Sequence, residues 1–452
     1  MSENSQASLD SWLQHIAAVH PREIELGLDR SRRVADRMHL TRPGRYVITV
    51  AGTNGKGSCV ACLEAILQQA GYRTGAYTSP HMHCFNERFR VDGQSCGDEK
   101  LSAALALVES CRGADSLSYF EFATLAALWI FEQAQVDVAL LEVGLGGRLD
   151  AVNIIDPDIA IITNISRDHE DWLGCGVENI GREKAGILRG NIPAILGSNN
   201  PPKSILDRAR EVGAQVFMLE KDFKATLSIS QAHWKWQGQG AGEIAFLLEA
   251  LPVPRLALDN VAAALQAIKL LPLNVADSAI GLALESVALP GRFELRRDTV
   301  SGKLVVLDVA HNAAAAALLA VNLHCLRQQH PQIGRITGVI AVMADKEIED
   351  MVVALESCLH IWYIAQVNEA RSMPSAEAEK RVQKAAGTVQ LRRFESVTTA
   401  YRAACDADGA GEQELILVTG SFHTVAAVRN LTQATDEYRP WQNHGGDWLW
   451  PV

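Results

Sequence analysis

The stretch "VITVAGTNGKGSCVA" at residues 47–61 decides what kind of fold this chain forms. Its apolar, β-branched beginning predicts a buried strand, and the residues from Ser58 onward predict a helix. Between them, Gly52 to Ser58 is a glycine-rich turn with one lysine. In such a unit, backbone N–H groups and the positive end of the helix dipole can hold a phosphate. The stretch therefore predicts a nucleotide-binding α/β fold.

The spacing of this turn differs from that of the common phosphate-binding loop. Only two residues separate Gly52 from Gly55, and Gly57 stands between Lys56 and Ser58. A glycine-rich turn without a ligand is the alternative interpretation. We favour the phosphate loop, because Lys56 would supply a cation for the terminal phosphates and Ser58 a hydroxyl for Mg²⁺.

Length and charge limit the other possibilities. The chain has 452 residues, which favours two domains, and a net charge of −11, which disfavours nucleic acid or an anionic membrane as the main partner. The start "MSENSQASLD" lacks a signal-peptide core, and no apolar run reaches the roughly 20 residues of a spanning helix. The nine cysteines are scattered along the chain, which fits a cytoplasmic protein. Cys59 and Cys62 are interpreted as small apolar residues of one helix. We expect a cytoplasmic protein.

Apolar segments alternate with helical patterns along most of the chain. Strands are predicted at 46–50, 73–78, 137–143, 159–165, 304–309, 335–343, 361–367 and 415–419. Helices are predicted at 58–70, 121–134, 259–271 and 313–320. This alternation is typical of parallel sheets covered on both faces, and it weakens over 220–256, where a short antiparallel segment is predicted. Pro290-Gly291 predicts a boundary, which gives one domain over 1–288 and another over 289–452.

Polar residues follow three of the predicted strands in the first half. Ser79 lies in "YTSPH", Glu142 begins "EVGLGGRLDAVN", and His169 lies in "DHEDWLG". Because parallel strands end at one edge of a sheet, these side chains are expected to face one crevice. Oxygen ligands with one imidazole suit Mg²⁺ or Mn²⁺ beside phosphate. The glycines that follow Glu142 are only a weak match to a dinucleotide fingerprint.

The second half repeats the arrangement. "VVLDVAHN" places Asp308 and His311 at the end of a predicted strand, and "LVTGSFHTV" places Ser421 and His423 at another. Each pattern alone is common. Two strand ends of this kind suggest a second lobe that faces the first.

Together these motifs resemble the folylpolyglutamate synthase family of the Mur ligase superfamily, most closely its bacterial bifunctional branch, which is also dihydrofolate synthase. The resemblance runs from about residue 10 to 435 and is carried by "VAGTNGKGS", "TSPHMHCFNERFRVDG", "EVGLGGRLDAVN", "DHEDWLG", "IGREKAGI", "PGRFE", "DVAHN" and "GSFHTV". It implies an N-terminal P-loop ATPase domain with a parallel sheet and a C-terminal Rossmann-like α/β domain, with the active site between them.

The resemblance also implies roles for individual residues. Those that would hold ATP are Asn54, Gly55, Lys56, Gly57, Ser58, Asn260, Arg292 and Asp308. Those that would ligate Mg²⁺ are Ser58, Ser79, Glu142 and His169. Those that would hold the pterin are Glu25, Leu26, Gly27, Leu28, Ser118, Tyr119, Phe120, Glu121, Leu149, Asp150 and Ala151. Glu25 stands where the family usually has aspartate.

Four residues are expected to act in catalysis: Lys56, Lys184, Asp308 and His311. Lys184 matches the family's carbamylated lysine, although it could instead remain an ammonium paired with Glu183 or a phosphate. His311 could orient Asp308 or position the reacting groups. Ser421 and His423 are expected on the glutamate side.

The implied reaction is ATP-dependent amide formation through an acyl phosphate. The expected substrates are ATP, L-glutamate, dihydropteroate and folates. One or two Mg²⁺ ions and K⁺ or another monovalent cation are the expected cofactors, and the protein is expected to be a monomer that binds neither nucleic acid nor a membrane. "SYFEF" at 118–122 favours the bifunctional enzyme over one that only extends folate tails.

Two rival functions are disfavoured. A muramyl ligase would carry a sugar-binding domain before the loop, and only 51 residues precede Gly52. A regulatory protein that has lost catalysis would not be expected to keep Ser79, Glu142, His169 and Lys184 together.

Overall fold

The computed structural model describes residues 8–20, 25–228, 233–240, 244–386, 389–407 and 413–435. They divide into two compact units. The first holds the residues up to Thr226 together with His233–Val287, and the second holds those from Ala288 onward with a short stretch that begins at Leu227. Within the described residues no helix is both long enough and apolar enough to span a bilayer.

The first unit is built on a mostly parallel sheet of eight strands. Their bounds are β1 Gly44–Ala51, β2 Thr74–Tyr77, β3 Phe89–Val91, β4 Gln94–Ser95, β5 Val136–Glu142, β6 Ile159–Ile162, β7 Pro193–Leu196 and β8 Gln215–Met218. The order is β4-β3-β2-β5-β1-β6-β7-β8; the pairs β2–β3 and β3–β4 are antiparallel, and the other pairs are parallel. The carboxyl ends of β2, β5, β1 and β6 therefore lie side by side.

Helices cover this sheet. Their bounds are α1 Leu9–Val19, α2 Asp29–Arg37, α3 Lys56–Gln69, α4 Asp98–Arg112, α5 Tyr119–Ala134, α6 Glu170–Leu173, α7 Val177–Lys184 and α8 Lys203–Val212. Single 3₁₀ turns lie at Phe85–Arg88, Ala151–Ile154 and Ala185–Ile187. Residues of α1, α4 and α5 join those of the sheet in one apolar core. Cys59 and Cys62 are both buried on α3, and burial raises the pKa of both thiols, in keeping with their interpretation as packing residues.

The predicted antiparallel segment is also present. Strands β9 Lys224–Leu227, β10 His233–Gln239 and β11 Ala245–Pro252 form a small sheet, in which β10 and β11 pair antiparallel. Two buried tryptophans alternate on β10, and their indole N–H groups donate to the carbonyls of Pro252 and Ala262. Helices α9 Leu258–Leu270 and α10 Asp277–Ser286 follow.

The second unit repeats the parallel plan. Its strands are β12 Glu294–Asp298, β13 Leu304–Leu307, β14 Ile333–Ile340, β15 Ile361–Ile364, β16 Gln390–Arg393, β17 Gln413–Thr419 and β18 Thr432–Ala434. Its helices are α11 Ala313–Gln329, α12 Ile348–Leu355, α13 Ser375–Ala386, α14 Val397–Asp406 and α15 Phe422–Arg429. The order is β16-β15-β14-β17-β13-β12-β18, with β12 antiparallel to both of its neighbours. A separate apolar core fills this unit.

All eight predicted strands and all four predicted helices are present, and the α/β fold class is confirmed. Helix α11 extends to Gln329 although the pattern predicts it only to residue 320, and β6 ends at Ile162 although the pattern predicts it to residue 165. The hydroxyl of Thr163 instead donates to the Asn54 carbonyl at 2.6 Å, and the Asn164 carbonyl accepts from Thr53 N at 2.8 Å. The chain leaves the sheet there because it binds the glycine-rich loop.

Candidate functional site

The glycine-rich loop connects β1 directly to α3. Helix α3 begins at Lys56, and its N-cap, Gly55, has a left-handed backbone with φ of 87°. A Cβ at Gly55 would lie 2.4 Å from the side-chain oxygen of Asn260, so only glycine fits. The loop thus carries the backbone geometry of an anion site, and Asn260, an expected ATP contact, lies directly beside it.

Several side chains after β6 hold this loop in place. Asn54 N donates to Oδ1 of Asn164 at 2.9 Å, and the Asn54 side chain donates to Oγ of Ser166 at 3.3 Å. Oγ1 of Thr53 donates to the Ser166 carbonyl at 3.2 Å. These hydrogen bonds therefore fix the loop to the end of the neighbouring strand.

Two lysines meet at the start of the loop. Nζ of Lys56 lies 3.1 Å from the Gly52 carbonyl and 3.3 Å from that of Thr53. Nζ of Lys184, from the end of α7, donates to the same Gly52 carbonyl at 2.9 Å. Two residues that are 128 positions apart in sequence thus share one acceptor of the glycine-rich loop.

Lys184 is buried, and its burial dominates its chemistry. Desolvation, reinforced by the neighbouring charge of Lys56, lowers the pKa of Lys184 to about 7. Near neutral pH, Lys184 is therefore a neutral amine in a large fraction of the molecules. In the structure Nζ of Lys184 donates to the Gly52 carbonyl, and the Glu183 carboxylate binds Arg148 at 2.9 Å, so these two neighbours do not pair with each other.

The expected metal ligands follow the strand ends of the same edge. Ser79 N donates to Oε2 of Glu142 at 3.2 Å, which brings the segments after β2 and β5 together, and Glu142 is buried. Ser58 is buried in the first turn of α3. His169 precedes α6 with a left-handed backbone, and its side chain is 38% exposed. In the described part of the chain, no three His, Cys, Asp or Glu side chains form a metal cluster.

The three expected pterin segments are brought together. Gly27 N donates to the Leu149 carbonyl at 3.2 Å, which joins 25–28 to 149–151. At the start of α5, the Glu121 carboxylate accepts from Ser118 N at 2.7 Å, and Oγ of Ser118 accepts from Glu121 N in return. This reciprocal pair is a capping box.

Aromatic rings and a buried carboxyl group lie in the segments expected to hold the pterin. The Phe120 ring lies 5.8 Å from that of Tyr77, and the Arg88 guanidinium lies over the Tyr119 ring at 5.6 Å. Asp150 caps the 3₁₀ turn and accepts from Leu145 N and Val152 N, and burial raises its pKa to about 6. Flat apolar faces and a carboxyl group are what a pterin ring needs for stacking and hydrogen bonding.

In the second unit, the expected residues lie at the ends of β13 and β17. Both Asp308 oxygens accept backbone N–H groups, from Phe293 and Ala310, each at 2.8 Å. Burial raises the pKa of Asp308, and the charge of Arg292 opposes that rise. The Arg292 guanidinium lies 5.2 Å from the centre of the Phe422 ring, and Nδ1 of His311 lies 2.9 Å from the Val309 carbonyl.

The residues expected on the glutamate side differ from each other in exposure. Ser421 is buried and caps α15, where its hydroxyl accepts from Thr424 N at 3.0 Å. His423 is half exposed, and its Nδ1 lies 3.3 Å from the Glu369 carboxylate.

Two features of the site are not visible in any motif. The first is the contact of the glycine-rich loop with Thr163, Asn164 and Ser166, since the sequence pattern predicts only the end of a strand there. Arg30 contacts Glu121 across 91 positions, and no local spacing indicates that pair.

Family models match both halves of the chain. Residues 50–268 match the Mur ligase middle domain, and residues 291–422 match the Mur ligase glutamate ligase domain.

Individual relatives match nearly the whole chain. The dihydrofolate synthase/folylpolyglutamate synthase of Escherichia coli is 42% identical over 426 residues, which cover 94% of this chain and 96% of the relative. The structure of E. coli FolC in complex with DHPP and ADP superimposes with a TM-score of 0.87 at 40% identity, over 95% of this chain and 99% of that one. The structure of the Yersinia pestis bifunctional folylpolyglutamate synthase/dihydrofolate synthase, complexed with AMPPNP and Mn ion, superimposes with a TM-score of 0.85 at 41% identity, over 95% of this chain and 99% of that one.

Proposed function

The chain belongs to the Mur ligase family, among its dihydrofolate synthase/folylpolyglutamate synthases, and from that premise we propose how its residues carry out the reaction. It is an ATP-dependent ligase with both activities. It adds L-glutamate to 7,8-dihydropteroate, and it adds L-glutamate to the glutamate tail of tetrahydrofolates. One observation carries the assignment of residues: a phosphate loop with two lysines, a buried carboxylate and the three candidate pterin segments occupy one unit of the molecule.

The first step activates a carboxylate. A substrate carboxylate oxygen attacks the γ-phosphorus of ATP, the bond to the β–γ bridging oxygen breaks, and ADP leaves. The acyl phosphate is then attacked by the amine of L-glutamate, the tetrahedral adduct loses inorganic phosphate, and the amine loses a proton. Phosphorylation is required because a carboxylate is a poor electrophile. Phosphoryl transfer needs positioning and charge stabilisation above all.

The glycine-rich loop would supply both the positioning and the charge stabilisation that phosphoryl transfer needs. We assign the backbone N–H groups of Asn54 to Ser58 to the phosphate oxygens and Nζ of Lys56 to the terminal phosphates. Nζ of Lys56 contacts two loop carbonyls, so it already lies at the loop where the phosphate oxygens would bind. Such preorganised donors lower the barrier because they need little rearrangement during the reaction. Asn260 lies beside the loop and is assigned to the nucleotide.

A divalent metal fits the strand-end residues by their chemistry. Ser58, Ser79 and Glu142 offer oxygens and His169 an imidazole, which together suit Mg²⁺ or Mn²⁺. Glu142 is buried at the end of β5 beside Ser79, so its carboxylate stays at the edge where phosphates would lie. When bound, the metal would neutralise phosphate charge. K⁺ or another monovalent cation is part of the same proposal.

Lys184 is assigned as a carbamylated lysine. Its neutral amine would add to CO₂ with loss of one proton, which converts the uncharged amine into an anionic carbamate. The buried position and the pKa of about 7 support this assignment, since an ordinary lysine would be almost fully protonated.

The second unit is assigned to the nucleotide and to glutamate. Arg292 and Asp308 would contact ATP, and His311 would position the reacting groups near them. Ser421 and His423 would lie on the glutamate side. Asp308 has both oxygens held by backbone N–H groups, so its orientation is set before ligand binding.

The remaining assignments concern the setting of the enzyme. We assign it to the cytoplasm as a monomer that binds neither membranes nor nucleic acid. All nine cysteines are free thiols, in keeping with a reducing compartment.

The test is an assay of the purified enzyme with ATP and L-glutamate. One reaction contains 7,8-dihydropteroate and a second contains tetrahydrofolate. Both are expected to yield ADP and a glutamylated product, whereas a UDP-muramyl substrate should be inert. Activity with tetrahydrofolate alone would leave a monofunctional folylpolyglutamate synthase, and robust turnover of the muramyl substrate would overturn the assignment.

A further inference from the structure

Arg30, on α2, links two of the segments that we assign to the pterin. Its Nε and Nη2 donate to the two oxygens of Glu121 at 3.2–3.3 Å. Its Nη1 donates to Oε1 of Glu25, and Nη2 also donates to the Glu25 carbonyl at 3.1 Å. One guanidinium therefore holds the segment 25–28 to the segment 118–121.

Glu121 is fully engaged by the protein itself. Besides Arg30, it accepts from Ser118 N at 2.7 Å and from Oγ of Ser31 at 3.2 Å. Its side chain is only 4% exposed. Both of its oxygens are used by donors on α2 and at the start of α5. Glu121 is thus an anchor for Arg30, rather than a carboxylate left open for a ligand.

Glu25 extends the network in the other direction. Its Oε2 lies 3.3 Å from Nε2 of His20, whose side chain is 5% exposed. The order of contacts is therefore His20, Glu25, Arg30 and Glu121. Glu25 stands where the family usually has aspartate, so this chain uses a longer acid at the end that meets Arg30.

We propose that Arg30 is a positioning residue for the pterin moiety of both folate substrates. It keeps the main chain of 25–28 and the start of α5 at one separation, and the pterin ring is recognised between them. This inference rests on the proposed function, because it takes those segments as the pterin site. Arg30 itself acts through Glu25 and Glu121.

The planar guanidinium is what makes the link specific. It can donate to two carboxylates in different directions at once, whereas a lysine ammonium supplies the charge without the fixed fork. Removal of the arginine leaves Glu121 buried without its counter-charge. Such an uncompensated buried charge is destabilising, and the two segments lose their shared partner.

The test uses two substitutions, Arg30→Met and Arg30→Lys, and separate Michaelis constants for each substrate. Arg30→Met is expected to raise KM for both 7,8-dihydropteroate and tetrahydrofolate by about tenfold or more, with Arg30→Lys in between. KM for ATP is expected to stay within about twofold of the wild-type value, because no described contact joins Arg30 to the phosphate loop. Direct titration of 7,8-dihydropteroate in the presence of AMPPNP should show the same loss of affinity.

A matched control lies on the same helix. Arg33 pairs with Asp115 in an exposed position, so Arg33→Met removes an equal charge from α2 without touching Glu25 or Glu121. It should leave both pterin KM values unchanged.

Three outcomes would contradict the role of Arg30, and a fourth would contradict the proposed function. A folded Arg30→Met enzyme with wild-type KM for both pterin substrates would overturn the role of Arg30, and so would an equal rise in KM for ATP, which indicates a general defect. If Arg30→Met does not fold, Arg30→Lys carries the test, and an unchanged pterin KM in that variant contradicts the proposal. Failure of the wild-type enzyme to use 7,8-dihydropteroate would instead refute the proposed function.

Discussion

The two large sheets of this protein end in polar residues at the carboxyl ends of their parallel strands, but those residues are held in different ways. In the first unit, partners come from distant parts of the chain: Lys184 reaches Gly52, Ser79 N reaches Glu142, and Asn164 binds Asn54. In the second, they are closer in sequence. Asp308 is held by Phe293 and Ala310, and His311 and Ser421 bind backbone atoms only two or three positions away.

This difference indicates a division of labour. A buried group with partners on several segments can have its pKa shifted and its position fixed, as the chemical step requires. A strand-end group with local partners keeps its orientation with little help from the rest of the unit. We therefore expect substitutions at the glycine-rich loop and the strand ends of the first unit to lower kcat, and those at the strand ends of the second to raise KM for ATP or glutamate.

The largest effect is expected for Lys56→Ala. Loss of a cation that stabilises the transferred phosphate should lower kcat by about 10²–10³-fold, as for other preorganised electrostatic donors. The fold should persist, because a loop cation adds little to packing. Steady-state kinetics and thermal unfolding measure the two effects, with Lys221→Ala, in an exposed turn, as the control. A folded Lys56→Ala enzyme with near wild-type turnover would remove Lys56 from the mechanism.

Lys184→Ala should also lower kcat strongly, and added acetate or formate should restore part of the activity by placing an anion in the vacated space. An alanine at this position cannot react with CO₂. Full activity in Lys184→Arg would show that a permanent cation suffices, and the carbamate assignment would then be wrong.

The pH dependence of Lys184 gives a second measurement on the same residue. Its pKa of about 7 means that the neutral amine increases as pH rises through 7 and decreases below it. Carbamate formed with ¹³C-labelled bicarbonate should therefore be greater at about pH 8.5 than at about pH 6, as seen by NMR. A carbamate signal that does not change with pH, or that persists in Lys184→Ala, would show that the carbamate does not form on Lys184.

Asp308→Asn should have a smaller effect and of a different kind. The amide keeps one acceptor oxygen but presents N–H to a backbone N–H, so the local geometry is disturbed. We expect KM for ATP to rise by about tenfold with a lesser change in kcat. Asp406→Asn, exposed at the end of α14, is the control. A large fall in kcat with unchanged KM for ATP would contradict the expected difference between the strand ends of the two units.

Ser421→Ala is expected to have the smallest effect. Loss of this helix cap should cost about 1 kcal/mol of stability and raise KM for glutamate by a few-fold. Ser396→Ala removes the cap of α14 in the same unit and should cost similar stability without changing that KM. Equal KM values in the two variants would mean that Ser421 acts only as a cap.

The same difference between the edges explains how much of the site could be predicted. The loop around Lys56 and the strand end at Asp308 are visible because their chemistry lies within a few residues. The strand predicted at 159–165 was too long, because apolar and β-branched residues such as Thr163 and Ile165 resemble a strand even where the main chain turns toward the loop. The role of Arg30 could not be found, since its partner Glu121 lies on another helix.

The sequence by itself determined the α/β alternation, the phosphate loop and the family. Each depends on short-range pattern: apolar periodicity, glycines that fit a tight turn, and motifs in a given order. Only the tertiary structure decided that Lys184 is buried beside Lys56, that Glu183 pairs with Arg148, and that Arg30 links Glu25 to Glu121. The physical reason is that desolvation and pairing energies depend on which distant groups come into contact, and a linear pattern does not contain those distances.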